Sequence, residues 1–299
     1  MPAPQLSLLV VFHEMGREAP RTLHTLSPAY QRGVTAADYE VIAIDAGSSR
    51  PLEAGFVASF GPNFRLLRTA AAPSPVAAVN AAARIARGEA LALCIDGARM
   101  LSPGIIRLML AAFRAYADPV VATLAWHLGP KLQNDSVLEG YGQAVEDRLL
   151  ESVEWRQDGY ELFRIACLAA SSAGGWFQPI AESNCLAVRR AAWDRLGGLD
   201  ERFQSPGGGL VNLDFYREAC ERLGQLVILM GEGTFHQFHG GVATNVPLAA
   251  HPWPAFHAEY RGLRGRDCEP PRVAVEYLGG MPPQAARFLP GAADRVAGG

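Results

Sequence analysis

The chain has 299 residues, 49% of them hydrophobic and 19% charged, with a formal net charge of −3. That length buries one large core or two fused lobes, and its interspersed charges offer neither a basic stripe for nucleic acid nor a polybasic membrane anchor. Five cysteines (Cys94, Cys167, Cys185, Cys220, Cys268) stand far apart without a CxxC spacing, which argues against a disulfide framework or a zinc knot and predicts a reducing, cytoplasmic setting.

The start, "MPAPQLSLLVVFHEMGRE", lacks a basic n-region and a small-residue cleavage site, and its apolar run Leu6 to Phe12 is too short to span a bilayer; it reads as a buried strand. A polar loop and a helical stretch near Pro20 to Arg32 follow. "YEVIAIDAGSS" predicts a second strand, Tyr39 to Ile44, ending at Asp45 with a Gly-Ser-Ser turn. "FRLLRT" is a short third strand, and "SPVAAVNAAARIARGEA" an Ala-rich helix from about Pro75 to Arg87 closed by Gly88. "ALALCI" predicts a fourth strand stopping at Asp96; a helix opening at Ser102-Pro103 and a strand over Val120 to Trp126 come next.

This alternation of strands and helices requires a mostly parallel sheet flanked by helices, an α/β fold of Rossmann-like type. In such an open sheet ligands bind beyond the carboxyl ends of the strands, so His13, Asp45 and Asp96 are expected to converge on one crevice.

After Gly129-Pro130 the pattern becomes polar and partly helical (Asp135 to Ala173). "WFQPIAESNCLAVRRAAWDRLGGLDERF" then reads as a strand, a short helix and a Gly-Gly turn. "GGGLVNLDFYREACERLG" is a loop and a helix with apolar residues at helical spacing. Beyond the apolar run Val227 to Met230 comes the Gly-rich "GTFHQFHGG", then a Pro- and Gly-rich C-terminal segment, with a frayed tail expected from Leu289 onward.

In order and spacing over about residues 6 to 245, these motifs resemble the family 2 glycosyltransferases of the GT-A fold. "YEVIAIDAGSS" is similar to the family's strand ending in Asp-Asp-Gly-Ser, "AAVNAAARIARGEALALCIDGARMLSP" to its Asn-containing helix and DxD strand, and "NCLAVRRAAWDRLGGLDERF" to its acceptor-side Gly-Gly-Phe-Asp-Glu segment. The resemblance implies a GT-A sheet with residues 1–125 as the nucleotide-sugar half, 126–245 as the acceptor half, and 246–299 as a C-terminal extension. It further implies transfer of a sugar, with inversion, from a UDP- or GDP-sugar to an unidentified acceptor. Asp45 would then pair with the nucleotide base, whose imide N–H a carboxylate can accept, and the backbone from Val11 to His13 would border the same pocket. The competing reading of Asp45 is a cap on its own turn. Asn80 is either a pocket contact or an exposed polar residue on an Ala-rich helix.

Two departures from the family pattern bear on chemistry. Asp96 matches the first acid of DxD, whereas Ala98 stands at the last, which in the family binds Mg²⁺ or Mn²⁺. A lone carboxylate can still serve a cation that keeps water and phosphate ligands. Two rescues are legible. His236 and His239 could join Asp96 at a divalent metal, a donor set suited to Mn²⁺ over Mg²⁺, or Arg99 could place a guanidinium on the diphosphate; as a structural residue, Arg99 would be a solvated side chain. The second departure is Val211-Asn212 at the family's Glu-Asp, whose Asp is the general base. Asp214 is then the first substitute, although a carboxylate near a helix N-terminus is a weakened base. Asp200, Glu201 and Glu182 are the further acids on the acceptor side.

Trp176 is the first choice for a sugar-stacking surface, and "SPGGGL" around Ser205 a flexible acceptor loop. His257 to Pro271 reads as an arm over the site or a homodimer contact. The loss of both acids also admits a degenerate GT-A protein that binds a nucleotide sugar or a partner without catalysis. A nucleotidyltransferase is disfavoured, because "HEMGREAPR" lacks the Gly-rich, basic signature such enzymes carry.

Overall fold

The computed structural model describes residues 3–289; of the expected tail only Leu289 falls among them. The first half contains β1 (Leu6–Phe12), α1 (Ala19–Thr25), β2 (Tyr39–Ala46), α2 (Ala54–Ala58), β3 (Phe64–Thr69), α3 (Val76–Ile85), β4 (Ala90–Cys94), β5 (Arg99–Leu101), α4 (Ile105–Ala115) and β6 (Val120–Leu128). The second contains α5 (Gln133–Ser136), α6 (Gln143–Glu151), β7 (Ala166–Leu168), β8 (Cys185–Arg189), α7 (Arg190–Leu196), α8 (Val211–Leu223), β9 (Leu226–His236), α9 (Trp253–Arg264) and β10 (Val275–Gly279).

One sheet runs β10-β9-β6-β8-β4-β1-β2-β3, with β5 added to β9 and β7 to β6. β1, β2, β3 and β4 are parallel, as are β6, β9 and β10; β8 lies antiparallel between β4 and β6. The mixed, mostly parallel α/β sheet is the architecture the strand and helix signals predicted. β1, β2, β4 and β6 are buried along their whole length, because helices cover both faces of the sheet and each strand must be apolar on both sides. Two hydrophobic clusters result, one per face. α4 contributes Ile105, Met109 and Phe113 to one of them, and α3 contributes Val76, Val79 and Ala83 to the other.

Several boundaries differ from expectation. The helix predicted over Pro20 to Arg32 ends at Thr25, since Ser27 precedes Pro28 and a residue before proline is driven out of the α region. α3 ends at Ile85 with Ala86 already extended. Gly88 does not cap it; a Cβ there would lie 2.5 Å from the Ser7 backbone nitrogen, so this glycine permits the chain to pass the start of β1. β9 extends through His236 where a Gly-rich loop was expected. The segment from residue 246 contributes α9 and, through β10, an edge strand of the same sheet. Among the described residues no helix is long and apolar enough to cross a membrane.

Candidate functional site

β5 creates the centre of the site. Gly97 turns the chain after Asp96 so tightly that a Cβ would fall 2.1 Å from the Phe12 ring, and the next residues pair antiparallel with β9, Arg99 opposite His236. Asp96 Oδ2 then lies 3.4 Å from Arg99 Nε and 3.5 Å from His236 Nε2. His239 closes the group, with one ligating atom from each of Asp96, His236 and His239 within 4.8 Å of the others. His236 is thus the last residue of a strand and fully buried, not a loop residue.

A shell of amides orients this group. His236 Nδ1 and Gln133 Oε1 are 2.7 Å apart. An amide oxygen only accepts, so Nδ1 carries the proton and Nε2 presents its lone pair. Gln133 in turn donates to the His236 carbonyl and accepts from Asn245 Nδ2. Asn245 Oδ1 accepts the backbone N–H groups of His239, Gly240 and Gly241, fixing the turn that carries His239. Neither Gln133 nor Asn245 has a sequence signal, since each acts through partners distant in the chain or through backbone.

Electrostatics match this geometry. Burial lowers the His236 imidazole to about 4 against the opposing pull of Asp96, so the ring is neutral at physiological pH; burial lowers His239 as well. Burial opposes ionisation of Asp96, but the Arg99 guanidinium outweighs it and holds the carboxyl far below its usual range. Ala98, where the sequence resemblance would put a metal-binding acid, is fully buried and donates its N–H to Asp96 Oδ1 at 3.0 Å. Arg99 is no solvated side chain: it is 6% exposed, and its Nε and Nη1 are buried without a hydrogen-bond partner.

On the nucleotide side, His13 follows β1 and is exposed, its Nδ1 3.0 Å from the Ala46 carbonyl. Val11 is a core residue within β1. Asp45 is 1% exposed, and its two oxygens accept from Ser48 N at 2.9 Å and Leu52 N at 2.7 Å. The carboxylate thus caps its own turn, the competing reading of this residue. Glu14, which sequence reasoning passed over, adopts φ 53° and binds Ser49 through its carboxylate, a backbone conformation that costs free energy for a residue with a Cβ. Asn80 is buried rather than exposed, and its amide bridges both backbone groups of Leu199 and the Glu201 carboxylate.

The acceptor-side acids separate into two places. Asp200, Asp214 and Asn80 line a cleft of about 570 Å³ together with Arg202, Arg222 and Arg264; Asp96, Arg99, Glu182 and His236 do not. Arg264, from the end of α9, grips Asp214 through two hydrogen bonds of 2.7 and 2.6 Å and reaches Asp200 at 2.8 Å. Arg202, followed by Arg264, holds the Asp200 carboxyl well below its usual range. Glu182 instead precedes β8 and accepts Asn212 Nδ2 at 3.3 Å. Trp176 is 1% exposed, packs on Trp126 and donates Nε1–H to the Leu229 carbonyl; the expected sugar platform is a core residue, because its loop folds inward over the sheet.

The fold is similar to several solved structures. Staphylococcus aureus TarS aligns with a TM-score of 0.56 at 11% identity over 78% of this chain and 36% of that one. TarS 1-349 in complex with UDP-GlcNAc gives 0.54 at 11% identity, covering 78% and 59%. GalNAc-T7 with UDP, GalNAc and Mn²⁺ gives 0.52 at 14% identity, covering 78% and 43%. The matched region is less than two thirds of each of these chains. No protein-family model and no curated protein sequence matches. The chain has the GT-A glycosyltransferase fold.

Proposed function

We propose that this GT-A-fold chain transfers a sugar, with inversion, from a UDP- or GDP-sugar to an acceptor held by the 126–245 half. The observation that carries this reading is the convergence of Asp96, Arg99, His236 and His239 beyond the strand ends of a GT-A sheet, where open α/β folds bind ligands. The similar structures of TarS with UDP-GlcNAc and of GalNAc-T7 with UDP, GalNAc and Mn²⁺ support the donor class.

The residues fit a divalent cation. His236 Nε2 is buried without a hydrogen-bond partner, its other nitrogen is fixed by Gln133, and one carboxylate with two neutral imidazoles suits Mn²⁺ better than Mg²⁺. Asp96, His236 and His239 would hold the ion, which when bound neutralises charge on the departing diphosphate. Arg99 contributes a fixed positive charge to the same leaving group, and its unpartnered N–H groups are suited to phosphate oxygens.

Calorimetric titration of EDTA-treated protein with UDP and GDP, with and without Mn²⁺, tests the reading. Binding that requires Mn²⁺ assigns the site to the Asp96 and histidine group; equal binding without it assigns the diphosphate to Arg99. Absence of binding to either nucleotide under both conditions refutes the proposal. The clamp of Arg264 on Asp200 and Asp214 favours one second reading, a nucleotide-sugar binder without catalysis, which retained binding with no donor turnover would select.

A further inference from the structure

Glu182 lies in the segment leading into β8, whose Cys185 pairs with Cys94 at the end of β4. The pairing continues past the strand, with Ile95 N donating to the Asn184 carbonyl at 3.3 Å. Glu182 is thereby carried to the Asp96 end of β4. It remains partly exposed, and the charged groups acting on it are Arg99 and Asp96. Its Oε2 accepts Nδ2 of Asn212 at 3.3 Å, and the same amide nitrogen donates to the Ser183 carbonyl at 3.1 Å.

Asn212 stands at the start of α8, where the resemblance puts an aspartate base. An amide takes no proton, but it can hold a carboxylate that does. Of the other acids on the acceptor side, Asp214 is held by two bonds from Arg264 and Asp200 by Arg202 and Arg264, while Glu201, bound by an amide as Glu182 is, lines the separate Arg264 cleft. Glu182 has no such cation on its oxygens.

We propose that Glu182 is the general base of the transfer and that Asn212 is its positioning residue, an assignment that rests on the glycosyl-transfer reading above. The Glu182 carboxylate takes the proton of the acceptor hydroxyl as that oxygen's electron pair forms the bond to the anomeric carbon. The bond from that carbon to the β-phosphate oxygen breaks, its pair leaves with the nucleoside diphosphate, and Glu182 later returns its proton to solvent. With water as the acceptor the same step hydrolyses the donor.

The test measures hydrolysis of a panel of UDP- and GDP-hexoses, with nucleotide affinity determined in parallel. Glu182→Gln is expected to slow hydrolysis about 10²- to 10⁴-fold while UDP or GDP affinity stays within about threefold, and Glu182→Asp to retain an intermediate rate. Asn212→Ala should lower kcat at unchanged donor KM and add nothing further in the Glu182→Gln background, as residues acting through one group are not additive. Hydrolysis by Glu182→Gln or Glu182→Asp at the wild-type rate overturns the assignment. So does wild-type protein that binds nucleotide yet hydrolyses no donor. Wild-type protein that binds no nucleotide sinks the glycosyl-transfer reading itself.

Discussion

Arg99 and His236 are direct partners in the antiparallel pairing of β5 with β9, and both reach the same oxygen of Asp96, at 3.4 and 3.5 Å. One register thus sets a fixed cation and a neutral imidazole on a single carboxylate. Shifting it by one residue would send Arg99 to the other face of the sheet.

Gln133 is expected to matter because it fixes the proton on His236 Nδ1. Gln133→Leu should weaken Mn²⁺ binding about 10- to 100-fold, the usual effect of losing an orienting partner behind a metal ligand. Manganese titration followed by paramagnetic resonance reads this directly; unaltered affinity would remove Gln133 from the site.

Arg99→Met should weaken UDP or GDP binding by about 1.5–3 kcal/mol, the net value of hydrogen bonds to a charged group, while leaving binding of the uncharged nucleoside alone. Arg99→Lys is expected to restore only part of it, since an ammonium lacks the planar fork. Calorimetry with diphosphate and nucleoside side by side separates these outcomes.

Arg264 joins α9 to the body of the protein through Asp214, 6% exposed, and Asp200, 20% exposed. Removing one partner of a buried ion pair costs about 3–5 kcal/mol; partial exposure of this one reduces the expected loss for Arg264→Met to about 2–3 kcal/mol. Denaturant unfolding should show that loss, with part of it recovered when Asp214→Asn is added.

Gly97→Ala inserts a Cβ 2.1 Å from the fully buried Phe12 ring. Such overpacking costs about 1–3 kcal/mol, and the double variant with Phe12→Leu should lose less than the sum of the two single changes. Additive losses in thermal unfolding would show that the ring is not the obstacle.

Glu146 is fully buried beneath Arg17, and burial, outweighing the Phe238 N–H and Arg17, raises its carboxyl to about 7. A native acid titrating above its unfolded value binds more protons than the unfolded chain between about pH 4.5 and 7, so stability falls as pH rises through that window. The expected difference between wild type and Glu146→Gln across it is on the order of 3 kcal/mol, from 1.36 kcal/mol per pH unit. Parallel pH dependence in the two proteins would contradict it.

Local periodicity and turn chemistry made the α/β alternation and the strands β1 to β4 and β6 legible in the sequence. It also exposed the two missing acids at Ala98 and Asn212 and the late histidines. Tertiary structure alone decided the rest. β5 is a three-residue strand, too short for any periodic signal, yet its pairing with β9 assembles the Asp96 group. Arg264 lies 50 residues beyond Asp214, and only the packing of α9 shows that the favoured base is held in an ion pair. Trp176 reads alike as platform or core until its loop is placed over the sheet. A side chain's role at a site depends on its partners, and partners joined by long-range pairing leave no mark on the residues between them.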